Sequence, residues 1–145
     1  MSKINVVYWS QTGNTEAMAE AIGSGIKEAG KEAEIVEVGN AAAAELKDAD
    51  VFALGCPAMG DEVLEETEFE PFMEEVEGFI SGKTVALFGS YGWGDGEWMR
   101  EWVDRMSKAG ARVMNDEGLI CQELPDDSAI AECKTLGKQL AEAVS

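Results

Sequence analysis

A chain of 145 residues has the length of one domain and can bury a core without help from a metal or disulfides. Its 29 acidic residues against 11 basic ones, with no histidine, leave a formal charge of −18; this disfavours nucleic acid and anionic membranes and favours basic protein surfaces. No apolar run is long enough to span a bilayer, no signal-type apolar region opens the chain, and three cysteines without a CxxC pair fit a reducing cytoplasm, so one soluble cytoplasmic domain over residues 1–145 is expected.

Residues 4–9 form a short β-branched and aromatic run, read as a buried strand. Ser10-Gln11-Thr12-Gly13-Asn14-Thr15 follows, and from Glu16 onward Met18, Ile22, Ile26 and Ala29 share one helix face, with Gly30 as the stop. A loop of small residues between a strand and a helix gathers backbone N–H groups, hydroxyls and a positive helix end, which is the chemistry of a phosphate site. The hydroxyls of Ser10, Thr12 and Thr15 can donate, and Gly13 lets the backbone approach closely or take a positive φ. No Lys or Arg lies in the loop, so neutral dipoles alone would hold the anion. The plainer alternative is a capped turn, although capping needs one hydroxyl and three are present.

Ile35, Val36 and Val38 predict a second strand, residues 41–47 a short helix, and Val51–Gly55 a third strand. Phe69, Phe72, Met73, Val76 and Phe79 recur at helical spacing, with Pro71 tolerable only near the first turn. Residues 85–89 read as the fourth strand, and Trp98, Trp102, Met106 and Ala109 mark a helix stopped by Gly110. Residues 112–114 and 119–121 form a fifth strand interrupted by 115–118, and a last helix starting at Pro125-Asp126-Asp127-Ser128 turns Ile130, Cys133, Leu136 and Leu140 inward. Strands alternating with helices predict a parallel sheet covered on both faces, with ligands at the carboxyl ends of its strands.

Two further loops fall at those ends. After the third strand comes Cys56-Pro57-Ala58-Met59-Gly60-Asp61-Glu62, and after the fourth Ser90-Tyr91-Gly92-Trp93-Gly94-Asp95-Gly96. Met59 on one loop and Trp93 on the other could grip a flat ring from both sides, aromatic stacking offering about 0.5–1.5 kcal/mol beyond burial. Either alone is as well explained by covering the sheet end. From Asp61 to Glu77 run nine acids, most expected on a solvated face, with some rimming the exposed ring edge to steer basic partners. Cys56 lies near the loops, but no cation adjoins it to lower its pKa, so a packing role is expected.

On Ser10 to Thr15, Met59-Gly60-Asp61-Glu62 and Gly89-Ser90-Tyr91-Gly92-Trp93-Gly94, flanked by Tyr8-Trp9 and Glu97-Trp98-Met99, the chain resembles a flavodoxin of the short-chain kind found in anaerobic bacteria. The resemblance covers the whole chain. It implies an α/β fold, a doubly wound five-stranded parallel sheet of order 2-1-3-4-5 with helices on both faces, holding one non-covalent FMN. It further implies that Ser10, Gln11, Thr12, Gly13, Asn14 and Thr15 hold the phosphate. Met59, reached through Pro57 and Ala58, and Trp93 would cover the two ring faces, Glu62 would accept from the ring N3–H, and Ser90, Tyr91, Gly92 and Gly94 would form the second wall. The peptide joining Gly60 and Asp61 would flip on reduction and present the Gly60 carbonyl to the flavin N5–H. Cys121-Gln122-Glu123 matches the last flavin-side loop only loosely. Gln11 occupies a position often small in relatives, and Pro57 stiffens the approach to Met59.

The implied function is a low-potential one-electron carrier, not an enzyme, that cycles mainly between semiquinone and hydroquinone. It would act as a monomer, between reductases and ferredoxin-dependent-type enzymes with basic surfaces. An anionic reduced ring in so acidic a protein would be strongly reducing. Unit charges about 10 Å apart at an effective dielectric near 20 repel by roughly 1.7 kcal/mol, on the order of 70 mV per neighbouring acid before screening. The alternative is an FMN-dependent NAD(P)H:quinone oxidoreductase of the same fold. Other nucleotide and phosphoryl sites do not fit. Residues 78–84 imitate a P-loop but are one residue short and lead into a strand, no GxGxxG occurs, and the third strand ends on Gly55-Cys56-Pro57 without the aspartate of a receiver domain.

Overall fold

The structure is a computed structural model that describes residues 3–11, 13–59, 63–92 and 94–144. In chain order it runs β1 (Lys3–Tyr8), α1 (Asn14–Glu28), β2 (Glu32–Glu37), α2 (Ala43–Lys47), β3 (Val51–Gly55), α3 (Phe69–Glu77), β4 (Thr84–Tyr91), α4 (Glu97–Lys108), β5 (Arg112–Val113), β6 (Leu119–Gln122) and α5 (Asp127–Ala143). All ladders between strands are parallel, in the order β2-β1-β3-β4-β5, and β6 continues the last position by pairing with β4. The expected order 2-1-3-4-5 is therefore present, with its last strand divided. The division lies at a 3₁₀ turn, Met114–Asp116, where Asn115 and Asp116 take φ values of 65° and 59°. Asn and Asp tolerate that left-handed region, so the chain steps out of the ladder there without a glycine at either position.

The strands alternate strictly. Val7, Phe52, Leu54, Val85 and Leu87 face one layer with Leu46 of α2, Phe69, Met73 and Val76 of α3, and Trp98, Trp102 and Met106 of α4. Ile4, Val6, Tyr8, Ala53, Ala86 and Phe88 face the other, covered by Met18, Ile22 and Ile26 of α1 and Cys133, Leu136 and Leu140 of α5. Side chains of period 2 on a sheet meeting stripes of period 3.6 on helices produce this three-layer sandwich. The α1–α5 contact is close because both helices carry glycine where they cross: a Cβ at Gly25 would stand 2.1 Å from the Lys134 carbonyl oxygen, and one at Gly137 would stand 2.1 Å from that of Ile22.

Two expectations shift, and the expected place of Pro71 holds. Val38 opens a 3₁₀ turn instead of ending β2. The fourth strand runs on to Tyr91, so Ser90 and Tyr91, expected in a loop, are strand residues paired in register with Cys121 and Gln122. Pro71 is the third residue of α3, within the first turn, where its missing N–H costs no helical bond.

Candidate cofactor-binding site

The carboxyl ends of β1, β3 and β4 converge on one cleft of about 250 Å³, lined by Ser10, Gln11, Asn14 and Thr15 on one side and by Pro57, Ala58, Met59, Ser90, Tyr91 and Gly92 on the other. Ten of the expected site residues thus share one cavity. Gly13 and Gly94 stand beside it with φ of 96° and 88°, a region that glycine enters without a Cβ penalty. Thr12, Gly60, Asp61, Glu62 and Trp93 lie outside the described residues. Glu123 also lines the cleft and was not among the expected residues. Its φ of 58° is held by its N–H donating to the Tyr91 carbonyl at 2.8 Å, while Gln122 Nε2 donates to Gly92 O at 3.4 Å. The sequence signals for this third edge were the broken fifth strand leading back toward the sheet end and the loose match of Cys121-Gln122-Glu123 to a last flavin-side loop.

The loop hydroxyls divide their work. Ser10 Oγ accepts from the N–H of Gly13 at 3.1 Å and of Glu16 at 3.3 Å, so it braces the turn with its lone pairs and keeps its own proton to donate. Gly13, the residue preceding α1, has no side chain to fold over the helix end. Thr15 is buried, and its Oγ1 lies 3.0 Å from Ser90 Oγ and accepts from the Ser90 N–H at 3.4 Å. That pair ties the loop after β1 to the end of β4. Thr15→Val keeps the shape but strands the Ser90 groups. It is expected to cost about 1–3 kcal/mol in urea unfolding and to loosen cofactor retention in dialysis; an unchanged midpoint would refute the tie.

On the opposite side, Met59 and Val63 exchange two backbone hydrogen bonds, Met59 N to Val63 O at 2.9 Å and Val63 N to Met59 O at 3.1 Å. Met59 and Val63 are therefore tied by an antiparallel bridge. Cys56 is fully buried; its sulfur accepts from the Glu65 N–H at 3.4 Å, and burial pushes its thiol well above the usual range. It packs and does not react. Burial also raises Cys121 to about 11 and Cys133 to about 12. Tyr8, buried below the cleft and donating to Glu16 at 3.1 Å, is raised to about 12, first by burial and then by that bond.

The acidic stretch is less free than its composition suggests. Glu65 is buried as a helix cap, Glu68 accepts from Trp9 Nε1 at 3.2 Å, and Glu70 and Glu77 both grip Arg105. Glu66, Glu74 and Glu75 remain on the surface as expected.

Comparison with known proteins decides what such a cleft belongs to. A family model described as Flavodoxin matches residues 6–136. The chain is 54% identical to the flavodoxin of Clostridium beijerinckii over 95% of its own length and 99% of that protein's, and 46% identical to that of Megasphaera elsdenii over 97% and 99%. The chain belongs to the flavodoxin family. The solution structure of two-electron reduced Megasphaera elsdenii flavodoxin superposes with a TM-score of 0.85 at 45% identity, covering 96% of this chain and 98% of that one. A flavodoxin from the domain Archaea gives 0.88 at 34% identity, with 99% of each chain covered.

As a flavodoxin, the chain is an FMN-binding electron-transfer protein and not an enzyme. The cleft suits that cofactor: neutral hydroxyl, amide and backbone donors at one end fit a phosphate, and a Met, Pro, Ala and Tyr wall at the other fits a flat ring. Among the described residues that line it, Glu123 is the one that carries a charge. No helix among the described residues is long and apolar enough to cross a membrane.

Proposed function

We propose that this carrier works at low potential on the second of two one-electron steps, as one cytoplasmic, monomeric domain of 145 residues that meets reductases and ferredoxin-dependent-type enzymes through their basic surfaces. The convergence of three strand ends on one cleft whose phosphate-side lining is neutral carries the reading. When bound, FMN supplies two successive one-electron reductions. The protein's part is to hold it. Ser10, Gln11, Thr12, Gly13, Asn14 and Thr15 bind the phosphate, Met59 and Trp93 exclude water from the ring faces, and Glu62 accepts from the ring N3–H. Pro57, Ala58, Asp61, Ser90, Tyr91, Gly92 and Gly94 shape the walls. The Gly60 carbonyl would be the group able to turn toward the cofactor and accept a hydrogen bond from it, because glycine passes between turn types without a Cβ clash.

Gly60→Ala is accordingly expected to narrow the gap between the two reduction potentials, measured by anaerobic redox titration. An unchanged gap would remove Gly60 from the mechanism. The net charge of −18 supports encounter with basic partners, whose reduction rates should fall as salt rises. The first experiment is an anaerobic reductive titration followed by the visible spectrum, with NADH as control. A yellow protein that passes through a distinct intermediate spectrum and ignores NADH supports the carrier. Direct two-electron bleaching by NADH would instead establish a quinone-reductase-type enzyme.

A further inference from the structure

The register between β3 and β4 ends at Gly55 and Phe88, just before the residues that line the cleft. One more ladder bond follows, from the Cys56 N–H to the Phe88 carbonyl at 3.1 Å. A parallel ladder would next join the Ser90 N–H to the Cys56 carbonyl. Here both groups go instead to side chains, one from each helix layer. The Ser90 N–H donates to Thr15 Oγ1 of α1 at 3.4 Å, and the Cys56 carbonyl accepts from Trp98 Nε1 of α4 at 3.1 Å. Beyond that rung the Ala58 N–H donates to the Ser90 carbonyl at 3.1 Å. The ladder thus opens at a single rung where the cleft begins, and Trp98 holds one side of the opening.

In sequence Trp98 and Trp102 mark the same apolar stripe of α4, and both are buried, at 2% and 1% exposed. Their surroundings differ. Trp98 packs on Tyr91 with ring centroids 5.6 Å apart at 48°, so its indole touches a residue at the foot of each wall of the ring end of the cleft. Trp102 stands edge-on to Phe69 at 5.4 Å, and its Nε1 has no hydrogen-bond partner among the described residues. Gly89 makes room for the Trp98 contact. A Cβ there would stand 2.1 Å from the Cys56 oxygen and 3.2 Å from Trp98 Cζ2.

We propose that Trp98 is a positioning residue of the cofactor site: by donating to the Cys56 carbonyl and packing on Tyr91, it fixes the spacing of the two walls that receive the flavin ring. This rests on the placement of the ring between the Pro57-Ala58-Met59 wall and the Tyr91 wall. Trp98 does not line the cleft and acts through Cys56 and Tyr91. Without the indole N–H, the buried Cys56 carbonyl has lost its donor and turns to the Ser90 N–H, the group a regular ladder would give it, which draws the walls together. By linkage, walls held ready for the ring are held more firmly once the ring is bound.

The test titrates apo-protein with FMN, followed by flavin fluorescence, for the parent, Trp98→Phe and Trp102→Phe. The two substitutions remove the same atoms from neighbouring turns of one helix, and of the two only Trp98→Phe removes a hydrogen bond seen here. Trp98→Phe is expected to raise the FMN dissociation constant about 3–10-fold. Trp102→Phe is expected to stay within twofold of the parent, even where urea unfolding shows equal destabilisation of the two apo-proteins. A second measurement needs no change at Trp98. In the parent labelled with ¹⁵N-tryptophan, its indole signal is identified by elimination, after Trp9→Phe, Trp93→Phe and Trp102→Phe have each removed one of the four. That resonance is expected to move on addition of FMN by more than the resonance of Trp102. Equal dissociation constants for the two variants, or a Trp98 resonance that stays still at saturation, overturns the positioning role. A parent apo-protein that takes up no FMN would instead overturn the site as a whole.

Discussion

Gly137→Ala is expected to destabilise the protein by about 2–3 kcal/mol in urea unfolding, although alanine is the better helix former. The added Cβ would stand 2.1 Å from the Ile22 carbonyl oxygen and 2.9 Å from the Ile26 nitrogen, both backbone atoms of α1 that cannot turn aside. Overpacking of this kind costs about 1–3 kcal/mol and occasionally more, against a propensity gain of about 1 kcal/mol. Gly25→Ala attacks the same crossing from the other helix, meeting the Lys134 carbonyl oxygen at 2.1 Å, and is expected to behave alike. The double variant should cost less than the sum, because a crossing already forced apart has room for the second methyl group. A stabilised Gly137→Ala protein would mean that α5 shifts freely on α1.

Glu65→Ala is expected to cost about 3 kcal/mol. The buried Glu65 carboxylate accepts from the N–H groups of Thr67 at 2.9 Å, Glu68 at 2.8 Å and Phe69 at 2.9 Å, and from the Thr67 hydroxyl. It closes the amino end of α3, where unpaired N–H groups and the helix dipole favour a negative charge. Burial pushes its pKa up, but the hydrogen bonds, that of Thr67 Oγ1 foremost, outweigh burial and leave it below the usual glutamate range. A folded-state pKa below the unfolded one means that the charge stabilises the fold above the unfolded value of about 4.3 and that this stabilisation is lost as pH falls through the lower folded value. Glu65→Gln, with one acceptor oxygen and no charge, should therefore fall well below the parent at pH 7 and approach it in acid. A gap independent of pH between 7 and 3 would show that shape, not charge, makes the cap.

The alternation of strands and helices and the position of the loops at strand ends were legible because both are written locally, whereas the sheet order came from the resemblance to a family. The switch between strand-like and helix-like periods orders the elements, and small residues at strand ends mark where a ligand enters. What was not legible depended on distant partners. Ser90 and Tyr91 look like loop beside glycines and become strand only because Cys121 and Gln122 lie alongside. Thr15 reads as a phosphate donor, and nothing beside it in sequence tells that its oxygen also lies against Ser90, 75 residues away. Glu70 and Glu77 read as solvated acids and are held by Arg105 on the next helix. Nor does anything around Gly25 or Gly137 in sequence announce that two helices cross there.

The bridge between Met59 and Val63 has a consequence for the speed of electron transfer. Each transfer requires the surroundings to rearrange toward the new charge, and that reorganisation energy slows the event when many groups must move. Two backbone hydrogen bonds, at 2.9 and 3.1 Å, hold Met59 and Val63 to each other and so resist movement of either. Positions tied in this way add little to the rearrangement that each transfer demands.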